Sequence, residues 1–297
     1  MATIYGRTSY WGGHRNDRFD DQLIGTSGDD YVSGLGGNDS IFSGRGNDTV
    51  LGGNGDDYID ASDTSQSVAA WGNDSVWGGA GNDTINYMQT TSAVTLVGDA
   101  GEDTIYGGSS GDSIYGGSES DIVFGNAGSD FVAGGAGDDY LSGGSGGDTL
   151  RGESGVDEII GGAGNDRIIG GATGDWLTGG VGADLFIYET PYESGLLWET
   201  ADTIMDFSEG DRLDFAVAGG ANNFVDTYLY SGSDFNTARD WAAEQISSGA
   251  RYAFASGPTQ EGTKGYLFAD SDGNGTMDTG IELLDVRAGS LFYWHIV

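Results

Sequence analysis

The amino-acid sequence predicts an all-β fold: a right-handed parallel β-roll solenoid of nine-residue repeats, capped by a small, mostly β C-terminal domain with one helix. Aspartates recur every nine residues, an apolar residue stands two positions after each one, and Gly-rich turns precede them. So long an in-register series does not follow from composition, even with 57 glycines among 297 residues. The aspartates of the series are Asp21, Asp30, Asp39, Asp48, Asp57, Asp74, Asp83, Asp103, Asp112, Asp121, Asp130, Asp139, Asp148, Asp157, Asp166, Asp175 and Asp184.

The repeating unit reads GGxGxDxUx, in which U is an apolar residue. Its last three residues suit a short strand with the U side chain pointing inward. Its first six residues are rich in Gly and Asn, which permit tight turns. Two units make one coil of eighteen residues, so the coils are expected to form two parallel sheets with stacked turns along both edges. A core of one apolar residue per unit is thin, and the turns must therefore contribute stability.

The stacked turns place the aspartate carboxylates in rows, about 4.7–4.9 Å apart, which is the spacing of neighbouring strands. Like charges this close repel each other unless a counter-ion lies between them. Carboxylates and turn carbonyls offer only oxygen ligands, a set that selects Ca²⁺ over zinc or copper. We expect roughly a dozen Ca²⁺ ions, each shared by two turns on one edge and bound by the aspartates of the series. The alternative is that the aspartates only form turns. Asn would form the same turns without charge repulsion, which favours the aspartates as ligands.

Over residues 20–188 the chain resembles the RTX (repeats-in-toxin) calcium-binding β-roll family, with an unbroken run from Asp103 to Asp184. The resemblance implies a roll that binds several Ca²⁺ ions. It also implies export of the unfolded chain by a type I secretion system that reads an uncleaved C-terminal signal. The closing residues LFYWHIV are similar to the apolar tails of that group.

Two interruptions divide the series of aspartates. In the first, Gln66 fills the aspartate position and Val68 the buried position. In the second, Val94 and Leu96 fill these positions after a two-residue insertion. Because neither Gln66 nor Val94 carries a carboxylate, we expect ions to be missing or displaced around both residues.

We expect three regions: an N-terminal cap at residues 1–20, the roll at 21–188, and a capping and secretion-signal domain at 189–297. Residues 202–215, DTIMDFSEGDRLDF, resemble the segment that follows the roll in serralysin-type proteases. A helix is predicted through TARDWAAEQISS, with Asn236 as its N-cap and Gly249 as its stop. Strands of this region are predicted at residues 203–207, 212–215, 266–269 and 281–285.

The loop DSDGNGTMD, residues 270–278, resembles an EF-hand loop in the spacing of its oxygen-bearing side chains. It departs from the pattern at position 12, where Ile281 stands and Glu282 follows one residue late. Ion binding and a solvated acidic hairpin turn both remain open. The candidate ligands of this loop are Asp270, Asp272, Asn274 and Asp278.

The formal charge of −36 argues against nucleic acid as a partner, because phosphate binding needs Lys and Arg. The absence of Cys excludes disulfides and thiolate metal sites. No apolar stretch is long enough to span a membrane, and the first residues form no hydrophobic signal region. We expect a secreted or surface protein without an N-terminal signal peptide. Because cytosolic Ca²⁺ is scarce, its binding outside the cell would drive folding there.

The sequence does not predict an enzyme. RTX relatives often carry a protease or lipase domain ahead of the roll, but only about twenty residues precede the repeats here. No HExxH motif occurs, and the only histidines are His14 and His295. The GxSxG matches around Ser109 and Ser145 lie in the turns of the repeats, without a histidine nearby to act as a base.

The outward strand positions suggest what the roll does. One sheet is expected to carry Ile24, Phe42, Trp77 and Tyr115 in a row, which is more apolar surface than a monomer usually shows. The first reading is a structural or surface protein that self-associates into a layer, filament or matrix. The second is an adhesin or polysaccharide-binding module that uses aromatics such as Trp77 and Trp176. Ice binding, the folding and export of a separate enzyme, and simple covering of the stripe by the chain itself are further alternatives.

Overall fold

The computed structural model of the chain describes residues 2–5, 19–61, 72–190, 193–194, 200–208, 210–215, 224–228, 235–247, 250, 252–259, 262–270 and 276–284. The chain divides into two compact units, residues 1–150 and 151–297. The predicted fold class is confirmed: the chain is nearly all β, and its repeats wind into a parallel β-solenoid.

In the first unit, alternate strands belong to two different parallel sheets, so each coil contributes one strand to each sheet. The first sheet contains β1 (Ala2–Tyr5), β3 (Asp30–Gly36), β5 (Thr49–Asn54), β7 (Ser75–Ala80), β9 (Thr95–Ala100), β11 (Ser113–Ser118) and β13 (Phe131–Ala136). The second sheet contains β2 (Gln22–Ile24), β4 (Ser40–Phe42), β6 (Tyr58–Asp60), β8 (Thr84–Asn86), β10 (Thr104–Tyr106), β12 (Ile122–Ala127) and β14 (Tyr140–Ser145).

The predicted inward positions form the core of the roll. Val50 pairs with Val76 on neighbouring strands, and Ile59 pairs with Ile85; all four side chains are fully buried. The turns between the strands bring the coils into close contact. At Gly53, for example, φ is +123° and a Cβ would collide with the backbone of Leu35 in the preceding coil. The repeat therefore needs both the inward apolar residue and the Gly-rich turn.

The second unit repeats this arrangement and then departs from it. The strand β15 (Thr149–Ser154) lies at the boundary between the units. The strands β17 (Arg167–Ala172), β19 (Leu185–Tyr188) and β21 (Arg212–Phe215) pair in that order, and all are parallel. The other sheet has the order β16 (Glu158–Ala163), β18 (Trp176–Val181), β20 (Asp202–Ile204), β25 (Thr279–Leu284), β24 (Gly262–Ala269), β23 (Tyr252–Thr259) and β22 (Phe224–Tyr228).

The last strands differ from the roll because β24 is antiparallel to both of its neighbours. The only helix of the described residues, α1 (Phe235–Ser247), packs its apolar side against this sheet. Ala238, Ala242 and Ile246 are buried at helical spacing and share a cluster with Phe268. Among the described residues, no helix has the length and apolar character needed to cross a membrane.

Several predicted boundaries in the C-terminal region change. The strand at 212–215 is confirmed, whereas the predicted strand at 203–207 is the shorter β20, and the last strand begins at Thr279 rather than at residue 281. The helix begins at Phe235, so Asn236 lies within it and is not its N-cap. Gly249 and the two histidines lie outside the described residues.

The prediction that Gln66 fills an aspartate position is wrong. Gln66 itself lies outside the described residues, but the backbone N–H of Asp48 donates to Asp74 Oδ1, so Asp74 directly follows Asp48 on that edge. The segment between them lengthens one coil and adds no half-coil. The predicted outward row that contains both Phe42 and Trp77 is wrong for the same reason. Phe42 pairs with Asp60 on the second sheet, whereas Trp77 lies on the first sheet.

The interpretation of the second interruption is confirmed. Val94 takes the aspartate position, because its N–H donates to Asp112 Oδ1 at 3.0 Å and its carbonyl accepts from Ser113. Leu96 is fully buried at the U position. The two extra residues lengthen the step from Asp83 to Asp103 without changing the edge on which they lie.

Candidate metal centre

The structure arranges the predicted aspartates in four rows, two in each unit, and all but Asp21 are nearly inaccessible to solvent. Row 1 consists of Asp30, Asp48, Asp74, Val94, Asp112, Asp130 and Asp148. Row 2 consists of Asp21, Asp39, Asp57, Asp83, Asp103, Asp121 and Asp139. In the second unit, row 3 consists of Asp166, Asp184 and Asp211, and row 4 of Asp157, Asp175 and Asp202.

Within a row, one carboxylate oxygen is used by the backbone. The N–H of Asp57 donates to Asp83 Oδ1 at 2.7 Å, and the N–H of Asp83 donates to Asp103 Oδ1 at 2.7 Å. The residue after each aspartate donates its N–H to the carbonyl of the preceding aspartate, as Thr84 does to Asp57. Each aspartate therefore sits between two coils, with its Oδ1 fixed in position.

The second carboxylate oxygen, Oδ2, points into the turn and has a different environment. It is buried and has no hydrogen-bond partner within the described structure at eight aspartates of the predicted series. Leaving a buried carboxylate oxygen uncompensated is costly, so these atoms require a positive charge or a proton. The eight are Asp48, Asp57, Asp83, Asp103, Asp121, Asp130, Asp175 and Asp184.

A glycine five residues before the aspartate leaves room beside Oδ2. A Cβ placed on Gly52 would collide with Asp57 Oδ2 and with the carbonyl oxygen of Gly78 in the next coil. The same two kinds of oxygen, carboxylate and carbonyl, meet beside Gly98 and Gly116. A hard cation with flexible coordination is the ligand that suits such a cradle, and Ca²⁺ fits this all-oxygen set. The residues present therefore fit the predicted ion.

No group of three or more Asp, Glu or His side chains able to hold a metal ion occurs within the described part of the chain. This agrees with the arrangement of the rows, in which each turn contributes one carboxylate. An ion between two turns would therefore take carboxylates from successive coils and complete its shell with turn carbonyls.

Burial raises the pKa values of the row carboxyl groups of Asp57, Asp83 and Asp121, and the charges of neighbouring row members raise them further. The pKa of Asp83 is raised to about 8, and those of Asp57 and Asp121 are each raised to about 7. The hydrogen bond from the preceding coil opposes the shift without cancelling it. Such groups ionise fully at neutral pH only when a positive charge compensates them.

The turns on either side of Val94 differ from those of the eight aspartates named above. The hydroxyl of the fully buried Tyr87 donates to Ser43 Oγ at 3.2 Å, and both groups hydrogen-bond with Asp74. Asp112 Oδ2 accepts the N–H of Gly108 at 2.7 Å. Protein donors therefore satisfy the carboxylates next to the interruption.

The sequence analysis missed two row members, Asp202 and Asp211. Asp175 donates its N–H to Asp202 Oδ1, and Asp184 donates to Asp211 Oδ1, both at 2.9 Å. A signal was present: Asp202 and Asp211 are nine residues apart, and Ile204 and Leu213 follow two positions after them. The step of twenty-seven residues from each preceding row member hid the register.

A second, exposed row of polar side chains was also missed. It is formed by the polar residue that stands just before several of the row aspartates. The N–H of Asp56 donates to Asn38 Oδ1 at 3.1 Å, and the N–H of Asn82 donates to Asp56 Oδ1 at 2.9 Å. The frequent GND and GDD sequences of the repeats carry this signal. These side chains tie the coils together at the surface.

The EF-hand-like loop is only partly described. Asp270 and Asp278 are buried, whereas Asp272 and Asn274 lie outside the described residues. Asp278 Oδ1 accepts a hydrogen bond from the hydroxyl of Thr279 at 3.1 Å. Glu282, the late candidate for position 12, forms a salt bridge of 2.9 Å with Lys264, the only lysine of the chain.

Comparison with known families agrees with this geometry. The RTX calcium-binding nonapeptide repeat matches residues 16–50, 36–63, 69–87, 95–123 and 115–150. The C-terminal domain of serralysin, a peptidase of the M10 family, matches residues 143–249. The chain therefore carries RTX calcium-binding repeats followed by a serralysin-type C-terminal segment.

Among solved structures, the chain is similar to the AlgE6R2 subunit of the Azotobacter vinelandii mannuronan C5-epimerase, with 26% identity and a TM-score of 0.37. That match covers 54% of this chain and 87% of the other. The AlgE6R3 subunit of the same enzyme matches with 21% identity and a TM-score of 0.27, over 61% of this chain and 78% of the other. No curated protein matches the chain.

Proposed function

We propose that the protein is a secreted, non-enzymatic, calcium-binding structural protein whose roll folds when Ca²⁺ binds between its turns. The observation that carries the proposal is the set of eight buried Oδ2 atoms without hydrogen-bond partners, seven of which lie beside a glycine cradle. The matched RTX repeats are of a calcium-binding class. The ligands would be the aspartates of rows 1, 2, 3 and 4, apart from Asp74 and Asp112 beside the interruption, together with turn carbonyls such as those of Gly78 and Gly116.

The ion would supply charge compensation and cross-linking rather than reactivity. It would neutralise carboxylates that otherwise repel each other, and it would join successive coils of a roll with a thin apolar core. About a dozen ions would follow if each is shared by two turns and if the turns around Val94 hold none. Binding free energy would then become folding free energy, so the chain would stay unfolded where Ca²⁺ is scarce.

The proposed division of the chain is an N-terminal cap at 1–20, the roll at 21–188, and a capping and export domain at 189–297. The match of the C-terminal half to a serralysin-type segment supports export through type I machinery. Asp270, Asp272, Asn274 and Asp278 are kept as candidate ligands of a separate loop ion.

Calcium-dependent folding is tested by far-UV circular dichroism of the full chain during removal and restoration of Ca²⁺. At pH 8, we expect the strand signal to vanish in chelator and to return on re-addition, with ion binding and strand formation sharing one midpoint. Magnesium at the same concentration is the control, because its smaller, octahedral shell suits the turn oxygens less well. An unchanged spectrum in chelator would contradict the proposal.

We further propose that the calcium-loaded roll self-associates into a layer, filament or matrix. Exposed apolar side chains of the first unit support this: Ile24 is 45% exposed, Ile122 43% and Tyr115 41%. Electron microscopy and sedimentation at millimolar Ca²⁺ test it, with Tyr115→Ser and Ile122→Ser expected to weaken assembly without changing the strand signal. Monomers at every protein concentration would refute self-association and leave calcium binding untouched.

A second candidate, glycan binding, is favoured by the surroundings of Trp77. Trp77 borders a shallow hollow of about 370 Å³ that is also lined by Leu51 and the carboxylate residue Asp99. An aromatic ring offers an apolar face to the C–H groups of a sugar, and a neighbouring carboxylate accepts hydrogen bonds from its hydroxyl groups. A glycan array distinguishes the candidates: binding that is lost in Trp77→Ala, without polymer formation, would favour this role.

A further inference from the structure

We propose that the roll of the first unit packs against second copies of the chain through the outer faces of both its sheets, like face on like face. Each copy then contacts two neighbours. This inference rests on the proposed self-association of the calcium-loaded roll, and it assigns that association a surface and a geometry. The outer positions of a strand are the residues directly before and directly after its buried U residue.

The outer faces of the first unit carry almost no charge, although the chain has a formal charge of −36. Among the outer positions of the strands β2 to β14, Asp60 is the only charged residue. Its partly buried carboxylate accepts hydrogen bonds from the Tyr58 hydroxyl at 2.7 Å and from Asn86 Nδ2 at 3.1 Å. The exposed acids of these coils lie in the turns and at strand ends: Asp20, Asp29, Asp56, Asp99, Glu102, Glu119 and Asp138. Two copies therefore repel each other least when sheet faces sheet.

Aromatic side chains form a ladder on the outer face of the second sheet. The rings of Tyr106 and Phe124 are stacked with their centroids 5.2 Å apart, and the ring of Tyr140 lies 5.7 Å from that of Phe124. Ile122, which pairs with Tyr140, is 43% exposed. A ring packed between two others offers its edge rather than an open face. Such a ladder suits the side chains of another sheet better than it suits a sugar.

The outer face of the first sheet is also apolar. Leu51, Trp77 and Val97 follow one another in register on β5, β7 and β9. Tyr115 comes next, and its ring lies 5.6 Å from that of Phe131. Because the core lies between the two sheets, their outer faces point in opposite directions. A copy with two such faces can join one neighbour on each side, which gives an open stack rather than a closed dimer.

Symmetry favours contact between like faces. Contact between identical patches about a two-fold axis is the commonest arrangement in homo-oligomers. Strands lie about 4.7–4.9 Å apart in every copy, so the side-chain rows of one sheet can pack between those of an identical sheet. The aromatic ladder would therefore meet a second aromatic ladder, and the first sheet would meet another first sheet.

The outer positions of the second unit differ, which confines the proposed contact to the first unit. They include charged residues of both signs: Arg151, Glu158, Arg167, Arg212 and Asp214. Packing such side chains under an apolar sheet would remove their charges from water at a high cost.

The test places one charge on each outer face and counts the copies by sedimentation velocity and electron microscopy of the full chain at millimolar Ca²⁺. Thr104 is an outer position of β10 in the second sheet, and Ser113 is one of β11 in the first. Thr104→Glu should stop assembly at dimers joined through the first sheet, and Ser113→Glu at dimers joined through the second. The double variant should stay monomeric.

Ala136→Glu is the matched control, because Ala136 is exposed at the end of β13 and is not an outer position. It adds the same charge and should assemble like the wild type. Far-UV circular dichroism should show the same strand signal in all four variants.

The salt dependence of the wild type is a second measurement, which does not depend on how the variants fold. Between about 0.01 M and about 1 M ionic strength the Debye length falls from about 30 Å to about 3 Å. At saturating Ca²⁺, added salt should strengthen assembly, because it screens the acids of the turns while the faces in contact are nearly uncharged.

Three results would overturn the inference: assemblies that dissolve as salt is added, Thr104→Glu and Ser113→Glu variants that assemble like Ala136→Glu, or single variants that are already monomeric. Wild-type protein that stays monomeric under all these conditions would instead overturn the self-association on which the inference rests.

Discussion

Rows 1 and 2 run along opposite edges of the same unit, yet they satisfy their carboxylates in different ways. In row 2, the neighbours Asp57, Asp83 and Asp103 each keep a buried Oδ2 without a hydrogen-bond partner. In row 1, Val94 interrupts the series, and the carboxylates on both sides of it are bonded by protein groups: Asp74 by Tyr87 and Ser43, and Asp112 by Gly108.

The difference shows that a buried row carboxylate needs a partner, and that the chain can provide it in two ways. Where the repeat is regular, a glycine cradle leaves space for an ion beside Oδ2. At the interruption, Val94 supplies no carboxylate and Gln89 stands where the glycine would be, five residues before it. At the neighbouring row members Asp74 and Asp112, a hydroxyl or a backbone N–H takes the place of the ion. The contrast between regular turns and the turns beside the interruption leads to four predictions, of which the first has the largest effect.

The largest effect is expected from pH in the absence of Ca²⁺. Burial raises the pKa of Asp83 from 3.8 to about 8 and that of Asp57 to about 7. A carboxyl group with a raised pKa in the folded state stabilises the fold fully below its unfolded pKa, and this contribution is lost as pH rises through the folded pKa. In chelator, strand content should therefore persist near pH 5 and disappear between about pH 6 and 8.

Circular dichroism in chelator at several pH values measures this loss, and the same series in millimolar Ca²⁺ is the control. With Ca²⁺ present, the roll should remain folded at pH 8, because the ion replaces the proton. Equal strand content at pH 5 and pH 8 in chelator would mean that charge repulsion between the row carboxylates does not destabilise the roll.

The next largest effect is expected from filling one cradle in row 2. In Gly52→Ala the new Cβ collides with Asp57 Oδ2 and with the carbonyl of Gly78, so this turn should lose its ion and destabilise the roll by about 3 kcal/mol. Gly28→Ala is the matched control, because its Cβ would meet no atom within 4 Å and should change stability little. Calcium titration with thermal unfolding measures both, and equal stabilities of the two variants would argue against the cradle.

A smaller effect is expected from restoring the missing carboxylate in row 1. Val94→Asp places an acid at a position that is 3% exposed, without a glycine five residues before it. We expect no additional ion and a loss of about 2 kcal/mol, the cost of burying a polar group without full compensation. Native mass spectrometry gives the ion count. A gain of one ion would show that the carboxylate alone makes a site and that the cradle is unnecessary.

The smallest effect is expected from removing the hydroxyl that replaces the ion. Tyr87→Phe removes the hydroxyl that donates to Ser43 and hydrogen-bonds with Asp74, and it should cost about 1 kcal/mol. Its ion count should stay at the wild-type value, in contrast to Gly52→Ala. Urea unfolding at saturating Ca²⁺ measures the difference; the loss of an ion would place a cation beside Tyr87 after all.

The fold and most of the site could be predicted because each repeat carries two signals, an aspartate for the turn and an apolar residue for the core. The spacing of aspartate and apolar residue fixes which side chains point inward, so Ile59 and Ile85 were identified without a structure. The interruption at Gln66 could not be interpreted correctly, because an eight-residue lengthening of one coil resembles a degenerate unit in sequence. Strand pairing, which depends on contacts distant in the chain, decides between the two.

Asp202 and Asp211 escaped prediction for a similar physical reason. The steps before them are twenty-seven residues instead of eighteen, and sequence spacing alone does not show which row members such a step joins. The role of Tyr87 depends on hydrogen bonds between residues that no repeat relates. The sequence predicts the contacts that every repeat makes. The hydrogen bonds at the end or at the interruption of a row depend on the tertiary structure.

The most direct test of the account is a crystal structure of the calcium-loaded protein with anomalous diffraction data, which locate each Ca²⁺ ion. The account predicts anomalous peaks beside Asp57, Asp83 and Asp103 in row 2, within coordination distance of Oδ2 and a turn carbonyl, and no peak at Val94. Coils that remain wound with no ion beside these aspartates would contradict it.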